Sequence, residues 1–137
     1  MGLFRQRVEI GATDAGLFAP VDAVVDTGAT YSLFPRSLLA RLGVTAHDQA
    51  EFIVADGRTI VRELAIVTVR IGDRSRPVVC IIGDDAHSML GATTLEMFGL
   101  AVDPVNQRLV PTPLYLLSHP IIRSSDASRS PSGPAAG

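Results

Sequence analysis

Residues 23–30 read Ala23-Val24-Val25-Asp26-Thr27-Gly28-Ala29-Thr30. An apolar run delivers a carboxylate directly into a tight turn whose third residue is glycine. Because Gly28 has no Cβ, backbone N–H groups can approach the Asp26 carboxylate closely and favour its charged form. Thr27 adds a hydroxyl beside that carboxylate, and the small Ala29 leaves room for another backbone. An isolated Asp-Thr-Gly often does no more than make a turn. Its meaning therefore rests on the segments around it.

Those segments read mostly as short strands. Arg5–Ile10 and Val21–Val25 predict the first two. Pro35–Leu42 predicts a short helix, with proline at its start and Gly43 just past its end. Phe52–Ala55 and Arg58–Val61 flank Asp56-Gly57, a strong signal for a two-residue hairpin turn. Leu64–Ile71 and Val78–Ile82 predict another pair, joined by a polar turn over Gly72–Arg76. Thr93 and Glu96 have the spacing of a capping box for a second short helix that ends near Gly99. Leu100–Val102 and Arg108–Val110 predict a last hairpin around Asp103–Gln107. Many closely spaced strands and two short helices predict a mainly β fold, a small closed barrel or sandwich.

Taken in order, these segments resemble the retropepsin-like aspartic proteases, the single-domain, dimeric relatives of the pepsin family. Val24–Thr30 matches their active-site turn, hydrophobic-hydrophobic-Asp-Thr-Gly-Ala. Glu51–Leu64 stands where that family has its flap hairpin, with Asp56-Gly57 at the tip. Met89-Leu90-Gly91 matches the second hydrophobic-hydrophobic-Gly motif, which supports the active-site loop from beneath, and Thr93–Gly99 matches the helix after it. The resemblance covers roughly Pro20 to Val110 and implies a small closed acid-protease barrel. It also implies the site residues. Asp26, Thr27 and Gly28 would be catalytic. Ala29, Thr30, Val54, Ala55, Asp56, Gly57 and Arg58 would line the substrate, and Leu90 and Gly91 would support the loop.

Hydrolysis by this route needs two carboxylates sharing one proton, one a general base toward water and the other a general acid toward the carbonyl oxygen. The chain has a single Asp-Thr-Gly, and Asp22, Asp56, Asp84, Asp85 and Asp103 lack its glycine-turn setting. The second carboxylate is therefore expected from Asp26 of another copy across a two-fold axis, so monomers should be inert. Neither metal nor cofactor is expected, and the substrate should be an extended peptide. Two positions depart from the retroviral pattern: Thr30 replaces an acidic residue, and Ala92 replaces an arginine. In the family these positions form an ion-pair network that braces the dimer. The flap also lacks a glycine-rich tip, and Arg58 puts charge there. These departures keep open an alternative, a retropepsin-fold dimerisation or peptide-binding module with little activity.

Composition narrows the field further. The 137 residues are 47% hydrophobic and 19% charged, with a net charge of −2. Mean hydropathy is +0.30 and the isoelectric point is near 5.8. This describes a compact domain with room for one core, not a two-lobed enzyme or a basic nucleic-acid binder. All 12 basic residues are arginine, which excludes Schiff-base and P-loop lysines. The single cysteine, Cys80, excludes an intrachain disulfide and reads as a buried thiol. Asp84, Asp85 and His87 read as a solvated turn, as do Arg70, Arg74 and Arg76.

Met1–Ile10 is interrupted by charges and lacks the apolar core of a signal peptide, and no stretch is long enough to span a bilayer. A cytoplasmic location is expected, with no membrane partner, and the arginine-only, Ala/Val/Gly-rich composition suits a bacterial gene. After Ile122 the composition turns to Ser, Pro, Gly and Ala. The reading therefore divides the chain into a domain at 1–118 and a disordered tail at 119–137.

Overall fold

The computed structural model describes residues 3–14 and 16–113. The expected boundary at residue 118 and the tail lie outside the described residues. Strands are β1 (Phe4–Gly11), β2 (Phe18–Val25), β3 (Ser32–Pro35), β4 (Asp48–Ile53), β5 (Thr59–Ile71), β6 (Arg74–Gly83), β7 (Met89–Leu90), β8 (Leu100–Asp103) and β9 (Arg108–Pro111). Helix α1 (Arg36–Arg41) follows β3, and α2 (Ala92–Met97) follows β7. None of the described helices is long and apolar enough to cross a membrane.

Pairing runs β1-β2-β7-β3-β6-β5-β4, and β1 also pairs with β5 through Glu9–Gly11 against Thr68–Arg70. That last ladder returns the sheet to its first strand and closes a barrel. The 13-residue β5 makes closure possible because it is long enough to serve several neighbours. Its first half pairs with β4, and its second half lies between β6 and β1. Side chains alternate across each strand, so every second residue faces inward. Val8 and Ile10, Val21, Ala23 and Val25, Ala65, Val67 and Val69, and Val78, Cys80 and Ile82 fill the interior. Phe34, Leu39, Leu95 and Phe98 complete it from β3, the two helices and the end of α2. The Cys80 thiol is fully buried, and desolvation pushes its pKa up to about 12.

Four local expectations are corrected. Asp56-Gly57 is not a two-residue turn: Gly57 N–H donates to Val54 O at 2.8 Å, so Ala55 and Asp56 occupy the corner. Gly57 follows at φ +89°, the only positive φ in that turn, which gives a three-residue loop with glycine in the left-handed position. Arg58–Val61 and Leu64–Ile71 are one strand, because Arg62 and Glu63 stay in the β4 ladder. The turn expected over Gly72–Arg76 shrinks to Gly72 and Asp73, since Ile71 pairs directly with Arg74. Its arginines are not simply solvated. Arg70 stacks over Phe18 at 3.8 Å, and Arg74 donates to the Phe98 carbonyl at the end of α2.

The fourth correction concerns helix caps. Thr93 lies inside α2, Gly91 takes the N-cap position, and no side chain closes a capping box. At α1 the N-cap is Pro35, which offers no side-chain cap. Asp85 supplies one from a distant loop, its Oδ1 accepting the Ser37 N–H at 2.9 Å. Gly43 and Val44 N–H groups then close the other end of α1 onto Ala40 and Leu39 carbonyls.

Phe34 is fully buried where β3, α1 and the barrel meet. Phe34→Ala should therefore lower unfolding free energy by about 3–5 kcal/mol, read from the midpoint of urea denaturation.

Candidate active site

The site is built on β7, which has only two residues. It lies parallel to β2, with Val24 opposite Met89 and Val25 opposite Leu90. On its other side it runs antiparallel to β3, with Leu33 opposite Met89. The loop from Asp26 to Tyr31 must therefore arch from one flank of β7 to the other.

Hydrogen bonds fix that arch at each step. The Asp26 N–H donates to the Leu90 carbonyl at 3.0 Å, continuing the parallel ladder. The Ala29 N–H donates to the Asp26 carbonyl at 3.2 Å and closes the turn. The Gly28 N–H donates to Asp26 Oδ1 at 2.9 Å, the backbone approach expected from a residue without Cβ. Farther along, Ala92 N–H donates to Ala29 O at 2.7 Å, and Thr93 N–H donates to Thr30 O at 3.2 Å. The start of α2 is thus bound to the descending side of the arch.

Gly91 lies beneath it. A Cβ there would sit 2.5 Å from the Tyr31 carbonyl oxygen and 2.9 Å from that of Ala29. Both are backbone atoms tied into the arch, so no flexible side-chain end can swing aside. Leu90 and Gly91 are buried, whereas Thr27, Gly28 and Thr30 are exposed and Asp26 and Ala29 are half-buried.

The arrangement presents one carboxylate at the rim of a rigid turn. Asp26 Oδ1 is engaged by a backbone donor, and Oδ2 has no hydrogen-bond partner among the described residues. Five other acids are paired with arginines elsewhere: Asp22 with Arg7, Glu9 with Arg70, Asp56 with Arg58, Glu63 with Arg36 and Asp103 with Arg108. Asp84 pairs with His87 at 3.0 Å, and with Asp85 turned toward α1 the three do not converge. No group of three His, Cys, Asp or Glu side chains among the described residues is placed to hold a metal.

Val54–Arg58 form the far end of the β4–β5 hairpin, away from the arch in sequence, and Phe52 on β4 touches the arch. Tyr31 meets Phe52 edge-on, with ring centroids 5.6 Å apart. Neither ring is singled out by the sequence motif, although an aromatic immediately after the Asp-Thr-Gly loop is a usable signal. At the hairpin tip, Arg58 Nε donates to Asp56 Oδ2 at 2.7 Å, and the Arg58 N–H donates to Oδ1 at 3.0 Å. The arginine side chain and then its backbone N–H hold the Asp56 carboxyl below its ordinary pKa. Arg58 thus has its charge countered within its own turn.

A family profile for aspartyl proteases matches residues 9–102, more than half of the chain, from within β1 to within β8. The chain belongs to the aspartyl protease family. Solved structures agree on the fold of this aspartyl protease family member. The EIAV protease complexed with the inhibitor HBY-793 is similar at 20% identity and a TM-score of 0.51, over 69% of this chain and 86% of that one. The retroviral protease-like domain of Ddi1 from Leishmania major is similar at 19% identity and a TM-score of 0.53, over 79% and 88%. A search of curated proteins gives no significant match. The expected retropepsin-like, mainly β fold is therefore what the chain adopts.

Two outcomes follow from this geometry. Gly91→Ala should lower stability by about 1–3 kcal/mol or more, because backbone has to move to admit the methyl group; denaturant titration measures it. An NMR titration should place Asp56 below the ordinary carboxylate midpoint, and Arg58→Ala should move it back up. The sign is that of a depressed carboxylate: the favourable interaction is full above the unfolded-state pKa and is lost as pH falls through the folded one.

Proposed function

We propose that this chain is an aspartic endopeptidase that works as a homodimer, with Asp26 of each copy forming the catalytic pair. The observation that carries the reading is Asp26 at the tip of the β2–β7 ladder. It is half-buried, one oxygen takes the Gly28 N–H, and the other is free of described partners. A single carboxylate of this kind is half of an acid/base pair. Because the chain has a single Asp-Thr-Gly turn, a second copy is the source that completes it.

Two Asp26 carboxylates in contact cannot both be ionised, so the pair holds one proton between them. The ionised member takes a proton from water as the water oxygen bonds to the scissile carbonyl carbon. The protonated member gives its proton to the carbonyl oxygen. The resulting tetrahedral diol collapses as a proton passes to the amide nitrogen, the C–N bond breaks, and the pair returns to its one-proton state. Thr27 and Gly28 shape the turn, Ala29 and Thr30 line the floor of the cleft, and Leu90 and Gly91 support it. The hairpin tip Val54-Ala55-Asp56-Gly57-Arg58 acts as a flap over an extended peptide. The chemistry calls for no metal or cofactor, and the net charge of −2 gives nucleic acid no attraction.

In solution the protein should have about twice the 14.5 kDa chain mass. The dimer fraction should cleave members of a mixed peptide library somewhere between about pH 3 and 8, the range over which a coupled pair keeps one proton. Asp26→Asn should reduce cleavage by roughly 10²–10⁴-fold or more. A purified dimer with no cleavage, or an Asp26→Asn protein as active as wild type, would overturn the reading.

A further inference from the structure

The peptide group between Leu90 and Gly91 is gripped at both ends. Its carbonyl oxygen accepts the Asp26 N–H at 3.0 Å, and its own N–H donates to Ser32 Oγ at 3.0 Å. Ser32 Oγ in turn lies 2.6 Å from Thr94 Oγ1. Ser32 and Thr94 are 0% and 1% exposed and are the buried polar side chains of the described residues. They come from β3 and α2, so three elements meet at one amide.

A peptide group turns as a rigid plane, so holding its N–H fixes the direction of its C=O. Whatever orients the Gly91 N–H therefore orients the acceptor of the Asp26 backbone. We infer that Ser32 is a positioning residue for Asp26, acting through the Leu90–Gly91 peptide, while Thr94 satisfies the remaining hydrogen-bonding capacity of the Ser32 hydroxyl without being needed for the grip on Gly91. This inference rests on the proposed catalytic role of Asp26, but the grip itself is independent of it.

The hydroxyl accounting separates the two partners. Ser32 has one proton and two lone pairs; one lone pair takes the Gly91 N–H, and the rest of its capacity meets Thr94. Ser32→Ala leaves both the Gly91 N–H and the Thr94 hydroxyl buried without partners, and the peptide plane loses its stop. Thr94→Val strands only the Ser32 hydroxyl and keeps the Gly91–Ser32 bond. Both substitutions destabilise the protein, but only the first releases Asp26.

The test uses the full chain, with native-state amide exchange followed by NMR and peptide cleavage measured alongside. In Ser32→Ala the Asp26 N–H should exchange at least about tenfold faster after correction for the change seen at core amides such as Val67, the size expected for one lost hydrogen bond. In the same variant kcat should fall at least about tenfold while KM stays within about threefold, because positioning acts on the chemical step. Thr94→Val and Ser32→Thr, which retains the hydroxyl, should leave both readouts near wild type. If Ser32→Ala does not fold, Ser32→Cys, similar in size with a weak acceptor, replaces it with the same expectation. Asp26 exchange that rises only in step with the core, or equally in Thr94→Val, would overturn the inference. A wild-type protein that cleaves nothing would remove the catalytic reading alone, since the exchange result still decides whether Ser32 holds Asp26.

Discussion

Met89 and Leu90 form a strand too short to be stable by itself, yet it separates β2 from β3 and receives bonds from both sides. The barrel depends on this insertion. Without it, β2 would keep β1 as its one partner, and the Asp26 loop would have nothing to arch over. Burial of Leu90 anchors the insertion, the Val24 N–H holds its N-terminal side through the Ser88 carbonyl, and the Asp26 and Ala92 N–H groups tie its C-terminal side into the arch. Each such bond contributes only about 1 kcal/mol net, so the arch is held by their number and by the penalty for leaving buried groups unpaired.

Charge contributes little to this framework. The ion pairs join side chains that are mostly exposed, and pairs of that kind add between about 0 and 1 kcal/mol. Their effect is instead to occupy carboxylates. Whereas Asp22, Asp56, Glu63 and Asp103 each sit beside an arginine, Asp26 has a backbone donor in place of a cation. A carboxylate held by an N–H keeps a lone pair free for a water or a second acid, whereas one neutralised by guanidinium has less reason to share a proton.

The parts of the fold that were legible in the sequence are those decided locally. The Asp26 turn, the Leu90–Gly91 support, both helices and the last hairpin follow from glycine and proline placement and short apolar runs. β3 was not legible, because Ser32-Leu33-Phe34-Pro35 is too short to show a period and ends on the proline that opens α1. The continuity of β5 was hidden by Arg62 and Glu63, which interrupt the apolar pattern where the strand leaves the core and pairs only with β4. Barrel closure by β1 and β5 brings Glu9 to Arg70, 61 positions along the chain, and no local pattern encodes it. A similar separation hides Ser32 and Thr94: each reads as an ordinary small polar residue until β3 and α2 bring their hydroxyls together.

The substitutions at Thr30 and Ala92 take on a different meaning in this light. An ion pair between those positions would tie the arch to the start of α2 through long side chains, at the cost of desolvating two charges. Here the same two segments are tied by backbone, through Ala92 N–H to Ala29 O and Thr93 N–H to Thr30 O. Backbone bonds carry no side-chain entropy and do not weaken with salt or titrate, so the arch keeps its shape without the charges. That tie requires α2 to begin immediately after Gly91, close enough that a Cβ at Gly91 would collide with the Tyr31 carbonyl. Glycine at 91, the backbone ties from 92 and 93, and the buried hydroxyl at 32 therefore meet one problem together: fixing the arch that carries a single carboxylate from beneath, using uncharged groups.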